Sequence, residues 1–443
     1  MANRHGFANR HSAEQRTRWL SPSRTVVTSF NPKRSREQPG SAGLHSGEYF
    51  DDGDWVLCVA TNEERNRVAC ALSNGEVQVY DKKTMHLLHT YQRSNSLITE
   101  MTFETFDANL LAATASDGSL TLYDIRQATT PAIEIKNLLR PDEEALSLSM
   151  GFDGKIAAVG SSKGKIHFFD IRDRRCILGT YSQAHTNEVT RVRFQSLPTS
   201  SPGSSSINRN TSPILVSGSE DGLACVFDTS QATEENAITN ILSVQSPVRE
   251  IGFFGPSSEA IYCLTGSESL RLYHKDDAMC RKDYGLQFRE YLSHQLQQHE
   301  EHTIVQSHTS STKPGTVCSV DYLVDCHWDV ERQELSMLGG SCKGDGAIFQ
   351  VDEQGVSPLS YLRGGHRGVI RAWSSTIRRS SFFTVGEDAR MCEWNDLSSE
   401  KCADDNVIRN QIILAKKREG GPIARVGGGK LRKPRSRMSC SPY

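Results

Sequence analysis

The sequence predicts an all-β chain folded as a single seven-bladed β-propeller with disordered basic N- and C-terminal tails. Two observations predict it. Seven times a glycine-type turn leads into an alternating strand that ends in an aromatic residue, usually followed by Asp: Ser73-Asn74-Gly75 to Tyr80-Asp81, Ser116-Asp117-Gly118 to Tyr123-Asp124, Ser162-Lys163-Gly164 to Phe169-Asp170, and Glu220-Asp221-Gly222 to Phe227-Asp228. Weaker copies run from Ser267-Glu268-Ser269 to Tyr273-His274, Cys342-Lys343-Gly344 to Phe349-Gln350, and Glu387-Asp388-Ala389 to Trp394-Asn395. The strand ends lie 43, 46, 58, 46, 76 and 45 residues apart. Four of these six intervals fall on or near the ~40–45 residues of one four-stranded blade, and the two long ones carry insertions.

Seven blades use about 350 residues, so the 443-residue chain reads as one domain, 46–408, between tails 1–45 and 409–443. The net charge of −2 conceals a division: the tails carry +6 and +9, which leaves the ring at −17. An acidic ring repels phosphate, so any nucleic acid meets the tails. The N-terminal tail, with Arg4, Arg10, Arg16, Arg18, Arg24, Arg34 and Arg36 among Ser, Asn and Pro, has too little apolar content to offset ordering and reads as disordered. Its composition also resembles a mitochondrial transit peptide, but the basic clusters Lys416-Lys417-Arg418 and Lys430 to Arg437 argue against import into mitochondria. Those clusters suit nuclear import, RNA contact or a solubilising tail.

Twelve cysteines show no CxxC pair, and Cys70, Cys225, Cys263 and Cys392 fall inside strands, as reduced core thiols of a cytosolic or nuclear protein do. No apolar run reaches the ~18 residues of a membrane span, and no hydrophobic signal core opens the chain.

In the first blade, Trp55 to Ala60 and Arg67 to Leu72 make the inner strands, with Glu76 to Tyr80 and Leu87 to Tyr91 outside them. The last blade runs out of β pattern after Trp394, so its outermost strand must come from elsewhere. The segment Glu48-Tyr49-Phe50 is the expected donor, closing the ring without free edges. The first insertion, 197–213, is Ser-, Pro- and Asn-rich and falls between the first two strands of blade four as a floppy loop. The second, 275–315, contains Phe288, Leu292 and Leu296 at helical spacing, in a stretch that equally suits the beginning of an outer strand.

Blade seven holds His366, Thr384, Asp388 and Trp394, and blade four holds His185, Ser217, Asp221 and Phe227. With the runs Val189 to Phe194, Val216 to Leu223, Asp321-Tyr322-Leu323, Gly339-Gly340 and Gly364-Gly365-His366, this pattern resembles the WD-repeat β-propeller family across residues 54–395 and in the basic C-terminus. The N-terminal tail and both insertions lie outside the resemblance. It implies a non-enzymatic ring in which a turn Asp orients a His, the His contacts a hydroxyl, and the hydroxyl meets an indole N–H. Blade four lacks the indole donor. These rows are structural and do not form a hydrolase triad.

The strand ends Tyr123-Asp124-Ile125-Arg126 and Phe169-Asp170-Ile171-Arg172 resemble the box by which some WD-repeat proteins dock on the DDB1-type adaptor of cullin-4 ubiquitin ligases. That resemblance implies that Arg126 and Arg172 make charge-assisted bonds to a partner. The alternative leaves both arginines solvated. Gly427-Gly428-Gly429-Lys430-Leu431 lacks the earlier Gly and the Ser/Thr of a phosphate-cradling loop. His294, His299, His302 and His308 fit no zinc spacing.

The expectation is a scaffold for protein partners without cofactor, metal or catalytic residues, a single ring within a complex, in a nuclear or nucleolar assembly. A cullin-4 substrate receptor and an RNA-associated factor acting through its tails are the alternatives.

Overall fold

The seven predicted turn-and-strand units are seven blades: the first five are antiparallel four-stranded sheets with their strands in chain order, and the sheets of the sixth and seventh have five strands each. They span 56–91, 98–135, 145–181, 189–243, 248–283, 322–362 and 370–395, and are called blades one to seven. The computed structural model describes residues 18–28, 411–414 and 54–395, the last apart from 93–95, 104–106, 128–130, 132, 136–137, 173–176, 196–213, 307–318 and 376–380. The first strands of neighbouring blades touch all round the ring and line its axis.

The predicted aromatic ends anchor every blade. Tyr80, Tyr123, Phe169, Phe227, Tyr273, Phe349 and Trp394 are all at most 2% exposed. Each seam between blades holds its own apolar cluster, from Tyr91 with Ile98 between blades one and two to Val56 with Phe383 between seven and one. The turn glycine of Cys342-Lys343-Gly344 has φ +89°, and a Cβ there would lie 2.5 Å from the His366 carbonyl, so this turn requires glycine on both counts. Cys70, Cys225, Cys263 and Cys392 are free and buried.

Closure differs from the expected one. Blade seven takes its fourth strand from Arg24–Val27, antiparallel to Arg390–Asn395, and Glu48-Tyr49-Phe50 lie outside the described residues. Arg18–Leu20 adds a parallel fifth strand to blade six, and Gln411–Leu414 pairs in parallel with Arg24–Val27. Three short strands of the supposed tails are therefore sheet. Composition averaged over 45 residues hides the short β-branched run Thr25-Val26-Val27, whose Val26 is 1% exposed in the seam between blades seven and one. The segment ties three blades together. Ser23 N–H donates to the Glu393 carbonyl (2.8 Å), Arg24 pairs with the Glu393 side chain and donates to the Lys82 carbonyl of blade one (2.9 Å), and Trp19 stacks on Tyr361 of blade six with ring centroids 4.2 Å apart.

In the second insertion the helical alternative holds. Cys280–Asp283 is the ordinary fourth strand of blade five, and a helix follows at Phe288–Gln306. Phe288, Leu292 and Leu296 are at most 1% exposed and close the seam between blades five and six, with the Leu296 carbonyl accepting from the Tyr361 hydroxyl (3.0 Å). No helix among the described residues is long and apolar enough to cross a membrane. The first insertion lies outside the described residues.

Candidate functional site

Each inner strand carries a register shift near its start, between Val56/Cys58, Ile98/Glu100, Ala145/Ser147, Val189/Arg191, Val248/Glu250, Leu323/Asp325 and Ile370/Ala372. A bulge re-aims the side chain that follows it. Four of the seven residues so placed are charged: Glu100, Arg191, Glu250 and Asp325. Arg191 binds Glu250 through two bonds, Nε to Oε2 at 2.7 Å and Nη2 to Oε1 at 2.6 Å. Arg193 reaches Glu100 at 2.7 Å and Glu250 at 3.8 Å. The other Glu100 oxygen accepts from the Leu148 N–H of blade three at 2.7 Å. Asp325 Oδ1 lies 3.1 Å from the Tyr262 hydroxyl and 2.7 Å from the Cys326 N–H that it accepts.

Two carboxylates, Glu100 and Glu250, thus share two guanidinium groups at the axis, and Asp325 is a third carboxyl bonded beside them. Burial pushes the Asp325 carboxyl up to about 7; the nearby Glu250 adds to this and Arg193 works against it. The cluster joins blades two, three, four, five and six. Sequence reading passed over it, although the signal is present: Arg191 and Arg193 flank Val192 in a strand whose Val189, Val192 and Phe194 are buried.

The residues expected to form polar rows meet in both blades. In blade four His185 Nδ1 lies 3.1 Å from Asp221 and Nε2 2.6 Å from Ser217 Oγ. Burial pushes the imidazole down, with Asp221 pulling the other way, so the neutral ring donates to Asp221 and accepts from Ser217. Burial opposes the Asp221 charge, yet N–H donors from Thr186 and Leu223 and the His185 ring hold that carboxyl below its ordinary range. In blade seven His366 lies 3.0 Å from Asp388 and 2.8 Å from Thr384, and the Trp394 indole N–H donates to the same Thr384 oxygen at 2.7 Å. Thr384 is 0% exposed and its oxygen is held from both sides, so this hydroxyl, imidazole and carboxylate have no room for a substrate.

Blade three holds a third polar row built from different residue types. Glu143 accepts from Ser161 (2.6 Å) and lies 2.8 Å from His167, whose other nitrogen is 3.0 Å from Thr180. A glutamate at the blade entrance in place of histidine kept this row out of the sequence pattern.

Arg126 and Arg172 adopt one geometry twice. Arg126 Nε and Nη2 donate to the two oxygens of Asp124 at 2.8 and 2.7 Å; Arg172 does the same to Asp170 at 2.8 and 2.6 Å. The side chains are 63% and 64% exposed on consecutive blades. The bond from the Arg126 side chain holds Asp124 below its ordinary range, against a smaller effect of burial.

No protein-family model matches the chain. It is 25% identical over 378 residues to the WD repeat-containing protein 89 homolog of Dictyostelium discoideum, covering 82% of this chain and 93% of that protein. It is 24% identical over 359 residues to the WD repeat-containing protein GTS1 of Arabidopsis thaliana, covering 77% and 81%. Among solved structures, a chain in the crystal structure of the Mitotic Checkpoint Complex aligns with a TM-score of 0.59 at 13% identity, over 89% of this chain and 98% of that one, a likeness of fold alone.

Proposed function

We propose that this chain, a seven-bladed β-propeller similar to WD repeat-containing proteins, is a non-catalytic scaffold for protein partners in a nuclear or nucleolar assembly. The observation that carries the reading is the mutual satisfaction of the polar rows in blades three, four and seven. The rows around Asp221, Asp388 and Glu143 bond inward, which suits a rigid platform. The division of charge, −17 in the ring against +6 and +9 outside it, supports nuclear placement through the basic clusters. Proximity labelling with mass spectrometry tests this. Deletion of 415–443, which spares the Gln411–Leu414 strand, removes nuclear assembly proteins from the labelled set if the reading holds. An unchanged set rejects nuclear placement through those clusters.

The twin geometry of Arg126 and Arg172 favours a second reading, docking on a DDB1-type adaptor. Each guanidinium is exposed and pre-oriented by its own Asp. Arg126→Ala with Arg172→Ala removes adaptor and cullin peptides from the labelled set if this reading is right, and leaves them unchanged if it is wrong.

A further inference from the structure

We propose that the turn-side mouth of the ring docks a partner-protein segment in which an aliphatic or aromatic anchor is followed by lysines or arginines. The proposal rests on the scaffold reading and names the face and the chemistry that the scaffold uses.

Backbone bonds identify equivalent positions around the mouth. In six blades the first turn residue donates its N–H to the residue just before the inner strand: Ser73 to Trp55, Ser116 to Leu97, Ser162 to Glu144, Glu220 to Glu188, Gly266 to Pro247, and Glu387 to Val369. Blade six has its bulge deeper in the strand and falls out of this register. The six residues do not alternate at random. Val369, Trp55 and Leu97 stand on the consecutive blades seven, one and two, while Glu144 and Glu188 stand on the next two, three and four.

Single exposed apolar residues carry no information, but the exposed Trp55 and Leu97 beside the half-buried Val369, at equivalent positions in adjacent blades, form a continuous arc. Trp55 is 39% exposed and Leu97 46%. The Arg371 guanidinium, which pairs with Glu387, lies 5.7 Å from the centre of the Trp55 ring and covers one side of it. Over blades three and four, Asp142, Glu144, Glu188 and Glu220 are exposed. Lys163 pairs with Asp142 at 3.3 Å and Arg140 is exposed beside it, so carboxylates remain in excess by two. An apolar arc running into an acidic arc complements a segment whose anchor precedes its basic residues.

Fluorescence anisotropy tests this with three labelled twelve-residue peptides. One has Trp-Leu followed by four Lys or Arg, the second has Glu in place of those cations, and the third has Ser in place of the anchor. The first should bind at least fivefold more tightly than either of the others. Leu97→Glu should lose at least fivefold, as should Glu144→Lys combined with Glu188→Lys. Leu178→Glu, on the exposed outer strand of blade three, should bind as the unaltered protein does. These changes are at the surface, and equal melting temperatures establish that each variant is folded. Equal affinity for the peptide without its anchor overturns the proposal, because simple charge attraction then suffices. Equal loss in Leu178→Glu overturns it too, as does no binding of the first peptide.

Proximity labelling separates this proposal from the reading beneath it. A specific set of neighbours that survives Leu97→Glu rejects this face and keeps the scaffold. The lack of any specific set for the unaltered protein rejects the scaffold itself.

Discussion

Arg193 of blade four and Glu100 of blade two meet at 2.7 Å although a whole blade stands between them. The pair is a tie across the axis, and Glu250 of blade five shares the same guanidinium at 3.8 Å. Removing one member leaves like charges facing each other at a half-buried site. Arg193→Met should destabilise the protein by about 2–3 kcal/mol, below the full cost of breaking a buried pair because both side chains keep partial exposure. Adding Glu100→Gln should recover part of that loss in a double-mutant cycle followed by thermal unfolding. Additive losses would mean that the two residues act separately.

Blade seven and blade four differ by one donor, which makes their comparison informative. Phe227 occupies the place of Trp394, and the Ser217, His185 and Asp221 row forms without an indole. Trp394→Phe should therefore cost only about 1–1.5 kcal/mol, the worth of one hydrogen bond. Asp388→Ala removes the acceptor of both the Arg367 N–H and the His366 ring and should cost roughly 3 kcal/mol. Melting temperatures of the two variants check the order.

Asp325 gives a pH-dependent prediction. Its carboxyl is raised from 3.8 to about 7 in the folded chain, by burial first and then by Glu250. The stability it contributes is complete below about 4 and is lost as the pH rises through about 7, because the unfolded chain ionises first. Asp325→Asn carries no charge at any pH and keeps a partner for the Tyr262 hydroxyl. Its melting temperature, relative to the unaltered protein, should rise between pH 4 and 7 and level off above that. A difference independent of pH would show that Asp325 keeps an ordinary carboxylate in the fold.

The closing strand is tested through Val26, which is 1% exposed among Val56, Val68 and Phe383. Val26→Asp buries a charge with no partner in that seam and should cost about 3 kcal/mol or more. Hydrogen exchange should then rise in Arg390–Asn395, its neighbour strand, before it rises in blade three. Uniform protection would mean that the N-terminal strand adds little to closure.

What could be read from the sequence follows the range of the interaction that made it. The blade ends, from Tyr80 to Trp394, repeat a local pattern of turn, alternation and aromatic residue, and all seven are buried as that pattern implies. The His185 and His366 rows were legible because Ser217 and Thr384 stand four residues before their turn Asp and each His stands four residues before its inner strand. Arg24–Val27 was not, since four residues give little signal and their partner strand lies at the other end of the chain. The Arg193 to Glu100 tie was hidden for a related reason: it exists only once the ring has closed and brought two non-adjacent blades to one axis.

Ring closure by the first strands of the chain also sets an order of events during synthesis. Ser23 leaves the ribosome 370 residues before Glu393, the residue it bonds. At ~5–20 residues per second the N-terminal strands are without their partners for roughly 20 to 70 seconds, and blade one presents an uncovered apolar face throughout. The architecture that leaves the finished ring without a seam therefore gives its nascent form a long aggregation-prone interval, and a chaperone that shields blade one until blade seven emerges would raise the yield of folded protein.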